Sequence, residues 1–151
     1  MKIEAAIKQP KFRNDIQKAI LNLAYTASWL TTQQEIFFKP FGITSSQFNI
    51  LRILRGQNGR VMTGQEIKAR MLERNSDISR LLDRLEMKRF INRTQCTSDG
   101  RATSIGITSS GLDVLKAIDS RIDQAEKKLI KLTGKEARLL SDLLDKARGN
   151  S

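Results

Sequence analysis

Residues 74–108 read RNSDISRLLDRLEMKRFINRTQCTSDGRATSIGIT, and this stretch decides the fold. Its first part has apolar residues at intervals of three and four, which places them on one face of a helix: Ile78, Leu81, Leu82 and Leu85. The other face is polar and basic, with Ser76, Ser79, Arg80, Asp83, Arg84 and Met87. Asn75 or Ser76 can cap the first turn. We therefore predict a helix with one packed face and one exposed basic face.

Two β-prone runs, residues 90–95 and 102–107, follow this helix. Asp99-Gly100 between them is a strong signal for a tight turn, because the residues there must reach positive φ. Arg101 would therefore lie at or beside the tip of a hairpin. A half-buried helix that leads into a hairpin with a basic tip predicts a winged helix-turn-helix, whose helix enters the major groove of DNA. An ordinary helix and hairpin of an α+β domain is the alternative.

Composition limits the class of protein. The chain has 151 residues, with 27 Lys and Arg against 16 Asp and Glu, a formal net charge of +11, and no His. This length predicts a single domain spanning residues 1–151. The positive charge favours a polyanionic partner, either nucleic acid or an anionic membrane surface.

Other features of the sequence indicate the cellular compartment of the protein. The single cysteine, Cys96, excludes an internal disulfide framework and fits a reducing compartment. Residues 1–10 form a polar lead-in without the apolar core of a signal peptide, and no apolar run approaches transmembrane length. We therefore expect a cytoplasmic protein with no membrane partner.

Helical patterns surround the deciding stretch. A long amphipathic helix is predicted from Lys11 to about Phe38, with an apolar stripe made by Ile16, Ile20, Leu23, Ala27 and Leu30. Two shorter helices follow, and each begins with a capping box, Thr44 with Gln47 and Thr63 with Glu66. Val61-Met62 between them could form a very short strand. With the helix of residues 75–89, these two helices would complete a three-helix core.

The C-terminal part is also helical. Leucine, isoleucine and alanine at alternating three- and four-residue intervals predict a heptad seam that needs a helical partner: Leu115, Ile118, Ile122, Ala125, Leu129 and Leu132. Thr133 and Glu136 form a third capping box, before a final amphipathic helix. The predicted fold is mainly α with a small β-hairpin wing. Residues 44–107 form the winged helix-turn-helix DNA-binding region, and residues 11–38 and 108–148 form a helical dimerisation layer; an intramolecular bundle is the alternative to dimerisation.

The chain resembles the MarR family of winged-helix regulators over nearly its whole length. The resemblance rests on four fragments whose order and spacing are similar to the family's recognition helix, first wing strand, wing tip and entry to the fifth helix: residues 78–86, 91–93, 99–101 and 107–111. Two departures are visible. Arg89 stands where the family often has Gly, which leaves the form of the turn into the wing open, and Ala102 and Ser104 stand where many members carry charged residues.

The resemblance implies a homodimer that binds double-stranded DNA at a pseudo-palindromic operator. Carried over by position, the residues facing the major groove or its phosphates would be Ser76, Asp77, Ser79, Arg80 and Arg84. Arg101 would enter the minor groove, and an ion pair between Arg93 and Asp99 would brace the wing. Arg80 is the best candidate for reading a base, and Thr44 or Ser46 would contact a phosphate at a helix start.

The family also suggests an effector. Many members lose DNA affinity when a small phenolic or anionic compound binds between the dimer layer and the winged lobe. That crevice would draw on Tyr25, Trp29, Phe41 and Phe48, although aromatic residues at helical spacing more often form core. A redox role for Cys96 is disfavoured, because the family's peroxide sensors usually carry the reactive thiol in the first helix.

Catalysis is not expected. Without His and with one Cys, the chain lacks a triad base and a metal-ligand cluster, and it has no Gly-rich phosphate loop. We therefore predict no enzyme activity, no metal and no cofactor. The predicted function is a sequence-specific transcriptional repressor that acts as a homodimer and is released by a small effector. A nonspecific architectural DNA-binding protein is the alternative, and a winged-helix module that binds an acidic protein is a third.

Overall fold

The computed structural model describes residues 1–95 and 103–149. Contacts divide the chain into two compact units, Met1–Ile118 and Asp119–Ser151, with the boundary inside one long helix. The elements are α1 Ile3–Ala6, α2 Asp15–Phe38, a 3-10 turn Lys39–Phe41, α3 Ser45–Arg55, β1 Met62–Thr63, α4 Gly64–Arg70, α5 Ile78–Met87, β2 Ile91–Gln95, β3 Thr103–Ile107, α6 Ser109–Leu129 and α7 Gly134–Arg148. This mainly helical chain with a small antiparallel sheet confirms the predicted fold class.

Three helices begin as their capping boxes predict. At the start of α3, the Thr44 hydroxyl accepts a hydrogen bond from the backbone N–H of Gln47, whose side chain accepts one from Thr44 N–H. The same reciprocal pair starts α4, and Thr133 with Glu136 starts α7. Hydrogen bonds from the Thr133 backbone and hydroxyl hold the pKa of Glu136 below its ordinary value. Local spacing was sufficient to locate these ends, because both partners of each box lie within one turn.

The N-terminal residues are more ordered than the sequence suggested. Helix α2 begins at Asp15 rather than Lys11, because the Asn14 side chain caps it through Gln17 N–H at 2.8 Å. The short helix α1 precedes it, and Ile3 is buried, so the polar lead-in was a wrong prediction. Lys18 Nζ lies 2.5 Å from Glu4 Oε1, and this hydrogen bond holds the pKa of Glu4 below its ordinary value.

The sheet has the order β1-β3-β2, with both pairs antiparallel. Ile105 in the central strand pairs with Met62 of β1 and with Arg93 of β2. The predicted hairpin strands are confirmed within one residue at their described ends, and the short strand lies one residue later than predicted. The turn of the hairpin, with Cys96, Asp99 and Arg101, lies outside the described residues.

The core of the first unit lies where α3, α4, α5 and the sheet meet. Its fully buried side chains include Ile50, Leu51, Leu54, Ile67, Leu85, Ile105, Leu115 and Ile118. Leu115 and Ile118 begin the predicted heptad seam, yet they are 0% exposed within a single protomer. This part of α6 therefore needs no second subunit to bury it. No helix among the described residues is long and apolar enough to cross a membrane.

Candidate nucleic-acid interface

Helix α5 begins at Ile78, with Asp77 as its N-cap. Asp77 Oδ1 accepts a hydrogen bond from the backbone N–H of Arg80 at 3.2 Å. The expectation that Asn75 or Ser76 caps this helix was therefore wrong. Three consecutive residues with good capping side chains precede Ile78, and only the path of the preceding loop selects among them.

The two faces of α5 differ as predicted. Ile78, Leu82 and Leu85 are buried, and Leu81 is half-buried. The exposed face carries Ser79, Arg80, Asp83, Arg84 and Met87. Within residues 1–95 and 103–149, neither Arg80 nor Arg84 has an ion-pair partner. Both guanidinium groups therefore keep their five N–H donors for an external acceptor.

A cleft of about 340 Å³ lies between α4 and the first turn of α5. Its lining consists of Gly64, Gln65, Lys68, Ser76, Asp77, Ile78, Ser79 and Leu82. The structure thus brings three predicted DNA-binding residues, Ser76, Asp77 and Ser79, together with Lys68, which the sequence analysis did not select. Lys68 is exposed and adds a positive charge beside the start of α5.

The loop between α4 and α5 connects the predicted phosphate contacts. Glu73 accepts a hydrogen bond from the Ser46 hydroxyl at 3.1 Å through its side chain, and one from the Ser76 hydroxyl at 2.7 Å through its backbone carbonyl. Glu73 was missed because it lies in a link without periodicity. The Thr44 hydroxyl serves as the N-cap of α3, next to Ser46. Phosphate binding by Thr44 and Ser46 stays a prediction.

The wing is joined to α5 by an ion-pair cluster. Arg93 Nη2 of β2 lies 2.8 Å from Asp83 Oδ1, and its Nε lies 3.5 Å from Glu86 Oε2 without hydrogen-bond geometry. The predicted partner, Asp99, lies outside the described residues, so that pair stays a prediction. The pair with Asp83 holds the strand β2 against α5 through residues ten positions apart in sequence.

The C-terminal end of α5 forms a Schellman turn. The backbone N–H of Arg89 donates to Glu86 O at 2.8 Å, and that of Phe90 donates to Leu85 O at 3.0 Å. Arg89 has φ +60°, a left-handed conformation that glycine adopts without steric cost. The chain therefore keeps this turn with an arginine in the strained position.

Hydrogen bonds join the same turn to the start of α6. The Thr108 hydroxyl donates to Arg89 O at 2.7 Å, and its backbone N–H donates to Phe90 O at 3.0 Å. The hydroxyl also accepts a hydrogen bond from Gly111 N–H at 3.1 Å, which caps α6. One threonine thus links the end of α5 to the beginning of α6.

The strain at Arg89 gives a stability prediction. Arg89→Gly should raise the free energy of unfolding by about 1 kcal/mol, because a left-handed non-glycine residue costs roughly 1–3 kcal/mol and the added chain entropy of glycine offsets only part of this. Chemical denaturation measures the change. Arg89→Ala is the matched control, since it removes the side chain but keeps the Cβ. An equal gain in Arg89→Ala would show that strain is not the cause.

Comparisons with known proteins agree with this geometry. The model of the MarR family matches residues 43–103, which contain α3 to the beginning of β3. The crystal structure of a MarR transcription factor from Planctomyces limnophilus is 30% identical in sequence, with a TM-score of 0.69 over 89% of this chain and 98% of that chain. The chain belongs to the MarR family.

Two further similarities involve a solved structure and a curated protein. The S. aureus MepR structure, solved as a DNA complex, is 25% identical, with a TM-score of 0.73 over 91% of this chain and 97% of that one. The Escherichia coli HTH-type transcriptional regulator PapX is 32% identical over 76 residues, 50% of this chain and 46% of PapX. The chain thus spans less than half the length of that curated relative.

The four predicted effector residues of this MarR-family chain do not lie together. Phe48 stacks on the buried Phe38, with ring centroids 4.6 Å apart, and Phe41 contacts Phe37 with centroids 5.6 Å apart. Tyr25 precedes Phe38 by thirteen residues on α2, which separates them by about 20 Å along the helix axis.

Phe41 and Phe48 therefore belong to one aromatic cluster at the end of α2, together with Phe37 and Phe38, which the sequence analysis did not select. Tyr25 and Trp29 lie elsewhere along α2, with 43% and 37% of their surface exposed. An effector role for these residues stays a prediction. In the part of the chain that the structure describes, no group of acidic, Cys or His residues could hold a metal ion.

Proposed function

We propose that the chain is a transcriptional regulator that binds double-stranded DNA sequence-specifically as a homodimer, with α5 in the major groove. The observation that carries this proposal is the exposed basic face of α5, on which Arg80 and Arg84 have no ion-pair partner in the described residues. Among DNA-binding folds, a helix of this kind followed by a wing presents its exposed residues to base edges.

The exposed polar residues on and around α5 would have different roles in DNA recognition. Arg80 lies in the first turn, the part of a recognition helix that contacts base edges, and its guanidinium can bind guanine O6 and N7 in a bidentate manner. Ser76, Ser79 and Lys68 around the cleft would contact phosphates and set the register. Arg101 would extend the interface through the wing.

Homodimerisation is supported by apolar surface that a single protomer leaves in water. On α2, Ile16, Ile20 and Leu23 are 71%, 60% and 50% exposed. In the second unit, α7 exposes further large apolar residues: Leu139, Leu140 and Leu143. Exposed apolar rows on helices usually mark an association surface. We therefore place the dimer interface in residues 11–38 and 108–148.

We further propose that the regulator represses, because a dimer that covers an operator excludes polymerase without any additional contact. A small aromatic or anionic effector would shift the protein away from its DNA-binding form, and its candidate contacts are the predicted residues Tyr25, Trp29, Phe41 and Phe48. A protein with this function acts in the cytoplasm.

Selection of bound fragments from a random duplex pool at about 150 mM salt tests the proposal, since nonspecific phosphate contacts are weakened there. We expect enrichment of an inverted repeat with half-sites about one helical turn apart. Retention without enrichment would replace the proposal by the nonspecific architectural alternative, which the net charge of +11 permits. Failure to retain DNA would favour a protein-binding module.

The selected operator then tests Arg80. Arg80→Ala should weaken operator binding by at least about fivefold, because a bidentate arginine–guanine pair contributes roughly 1–3 kcal/mol of discrimination. Fluorescence anisotropy with operator and scrambled duplexes measures both affinities. Lys39→Ala, which removes an exposed positive charge outside both proposed interfaces, is the control and should bind normally. An equal loss of affinity for the scrambled duplex would mean that Arg80 contacts a phosphate and does not recognise a base.

A further inference from the structure

Lys88 connects two parts of the fold that are far apart in sequence. It is the C-cap of α5, and its Nζ donates a hydrogen bond to the carbonyl of Gly42, 46 residues earlier. A second, longer contact of 3.4 Å joins Nζ to Gln47 Oε1. Gly42 closes the 3-10 turn after α2, with φ +70°, and Gln47 lies in the capping box of α3.

Lys88 is an exposed lysine whose ammonium contacts two polar groups of the fold. Its ammonium lies at the carbonyl end of the 3-10 turn, where it donates to the Gly42 carbonyl. Hydrogen bonds with an ionised donor are stronger than neutral ones. Gln47 is only 2% exposed, and its Oε1 also accepts from Thr44 N–H, so the acceptor that Lys88 approaches is itself fixed.

Lys88 differs from the other polar links at the end of α5. Arg93 joins α5 to the wing, and Thr108 joins it to α6. Of the side-chain hydrogen bonds described for this end of the helix, the one from Lys88 reaches the turn between α2 and α3. This turn, Lys39–Phe41 with Gly42 as its C-cap, is called the elbow below. Helix α2 carries the exposed apolar stripe of the proposed dimer interface.

We propose that Lys88 is a positioning residue that fixes the angle between α2 and the recognition helix, and that it thereby sets the half-site spacing the dimer accepts. This inference rests on the proposed function. Helix α5 has ten residues and is about 15 Å long. A rotation of about 13° about its C-terminal end moves its first turn by about 3.4 Å, which is one base-pair step. A small rotation of α5 at this elbow would therefore change the distance between half-sites that the dimer can bind.

The test compares spacing preferences. The wild-type homodimer and Lys88→Met are titrated onto the selected operator, onto operators with one base pair inserted or removed between the half-sites, and onto a single half-site. Lys88→Met should lower the affinity ratio of the correct over the altered spacings by about five- to tenfold, the size of one partly exposed charge-assisted hydrogen bond. Binding to the single half-site should stay close to that of the wild type.

Two control variants separate positioning from other roles. Lys88→Arg should restore the spacing preference, because a guanidinium can also donate to the Gly42 carbonyl. Lys39→Met removes an exposed lysine from the same elbow whose side chain has no partner in the described residues, and it should behave as the wild type. Thermal unfolding checks that Lys88→Met is folded; if it is not, Lys88→Gln, which is too short to reach Gly42, replaces it.

The outcomes are distinct. A reduced ratio with unchanged half-site binding supports the inference. An unchanged ratio, or an equal loss of affinity on every probe, overturns it and leaves the proposed function standing. If the wild-type protein selects no inverted repeat, the proposed function fails first, and this inference fails with it.

Discussion

Replacing Gly111 by alanine is expected to lower the free energy of unfolding by about 3 kcal/mol, the upper end for overpacking a buried site. A Cβ at this position would lie 2.4 Å from the carbonyl oxygen of Phe90 and 2.8 Å from a side-chain carbon of Ile107. The first contact is with backbone, which cannot move aside as a flexible side chain could. The midpoint of thermal unfolding should therefore fall by roughly 6–12 °C.

The Phe90 carbonyl is held by the junction between α5 and α6. It accepts a hydrogen bond from Thr108 N–H at 3.0 Å, next to the bond from the Thr108 hydroxyl to Arg89 O. Relieving the clash would break these bonds and shift α5 relative to α6. We therefore expect Gly111→Ala to weaken operator binding even at temperatures where it remains folded.

Gly64→Ala is the matched control for this prediction. Gly64 also lies in the first turn of a helix, but its nearest neighbours to a Cβ are side-chain carbons of Ile78 and Leu82, both at 3.8 Å. This is ordinary van der Waals contact, so the change should be within about 1 kcal/mol and favourable to the helix. Comparable destabilisation in both variants, measured by chemical denaturation, would contradict the steric explanation for Gly111.

Much of this fold could be predicted because its signals are local. The capping boxes at Thr44, Thr63 and Thr133 each involve partners three residues apart, and the structure contains all three. The apolar period of α5 predicted its buried face correctly. The cap of α5 could not be predicted, since Asp77 competes with two equally suitable neighbours, and helix α1 is too short to show a period.

The candidate site was less predictable because its links join distant residues. The exposed arginines of α5 follow from helical periodicity alone. The contact from Lys88 to Gly42 spans 46 residues, and nothing in either local sequence indicates the other. Arg93 was assigned to Asp99 by resemblance, whereas its described partners, Asp83 and Glu86, lie one turn apart on α5. The spacing of these two acidic residues was visible in the sequence. Their pairing with Arg93 could not be predicted, because it depends on the sheet placing β2 beside α5.

Ile20→Asp is expected to convert the protein to a monomer at micromolar concentration and to weaken operator binding by at least about 100-fold. Joining two protomers that each bind one half-site raises the affinity for the operator by roughly 10²–10⁴-fold without any new contact. The monomer loses this gain. Sedimentation velocity gives the oligomeric state, and titration with the selected operator gives the affinity. Ile20 is 60% exposed in the protomer, so the substitution should leave helicity unchanged.

Asn22→Asp serves as the control, because it adds the same charge to the same helix about 200° away from Ile20, at 100° per residue. It should remain dimeric. If Ile20→Asp also remains dimeric, the stripe on α2 is not the interface, and the association surface must be sought among the exposed leucines of α7. If Ile20→Asp is monomeric but binds the operator with unchanged affinity, the two half-sites are read independently. Dimer geometry, and with it the positioning role of Lys88, would then have no part in recognition.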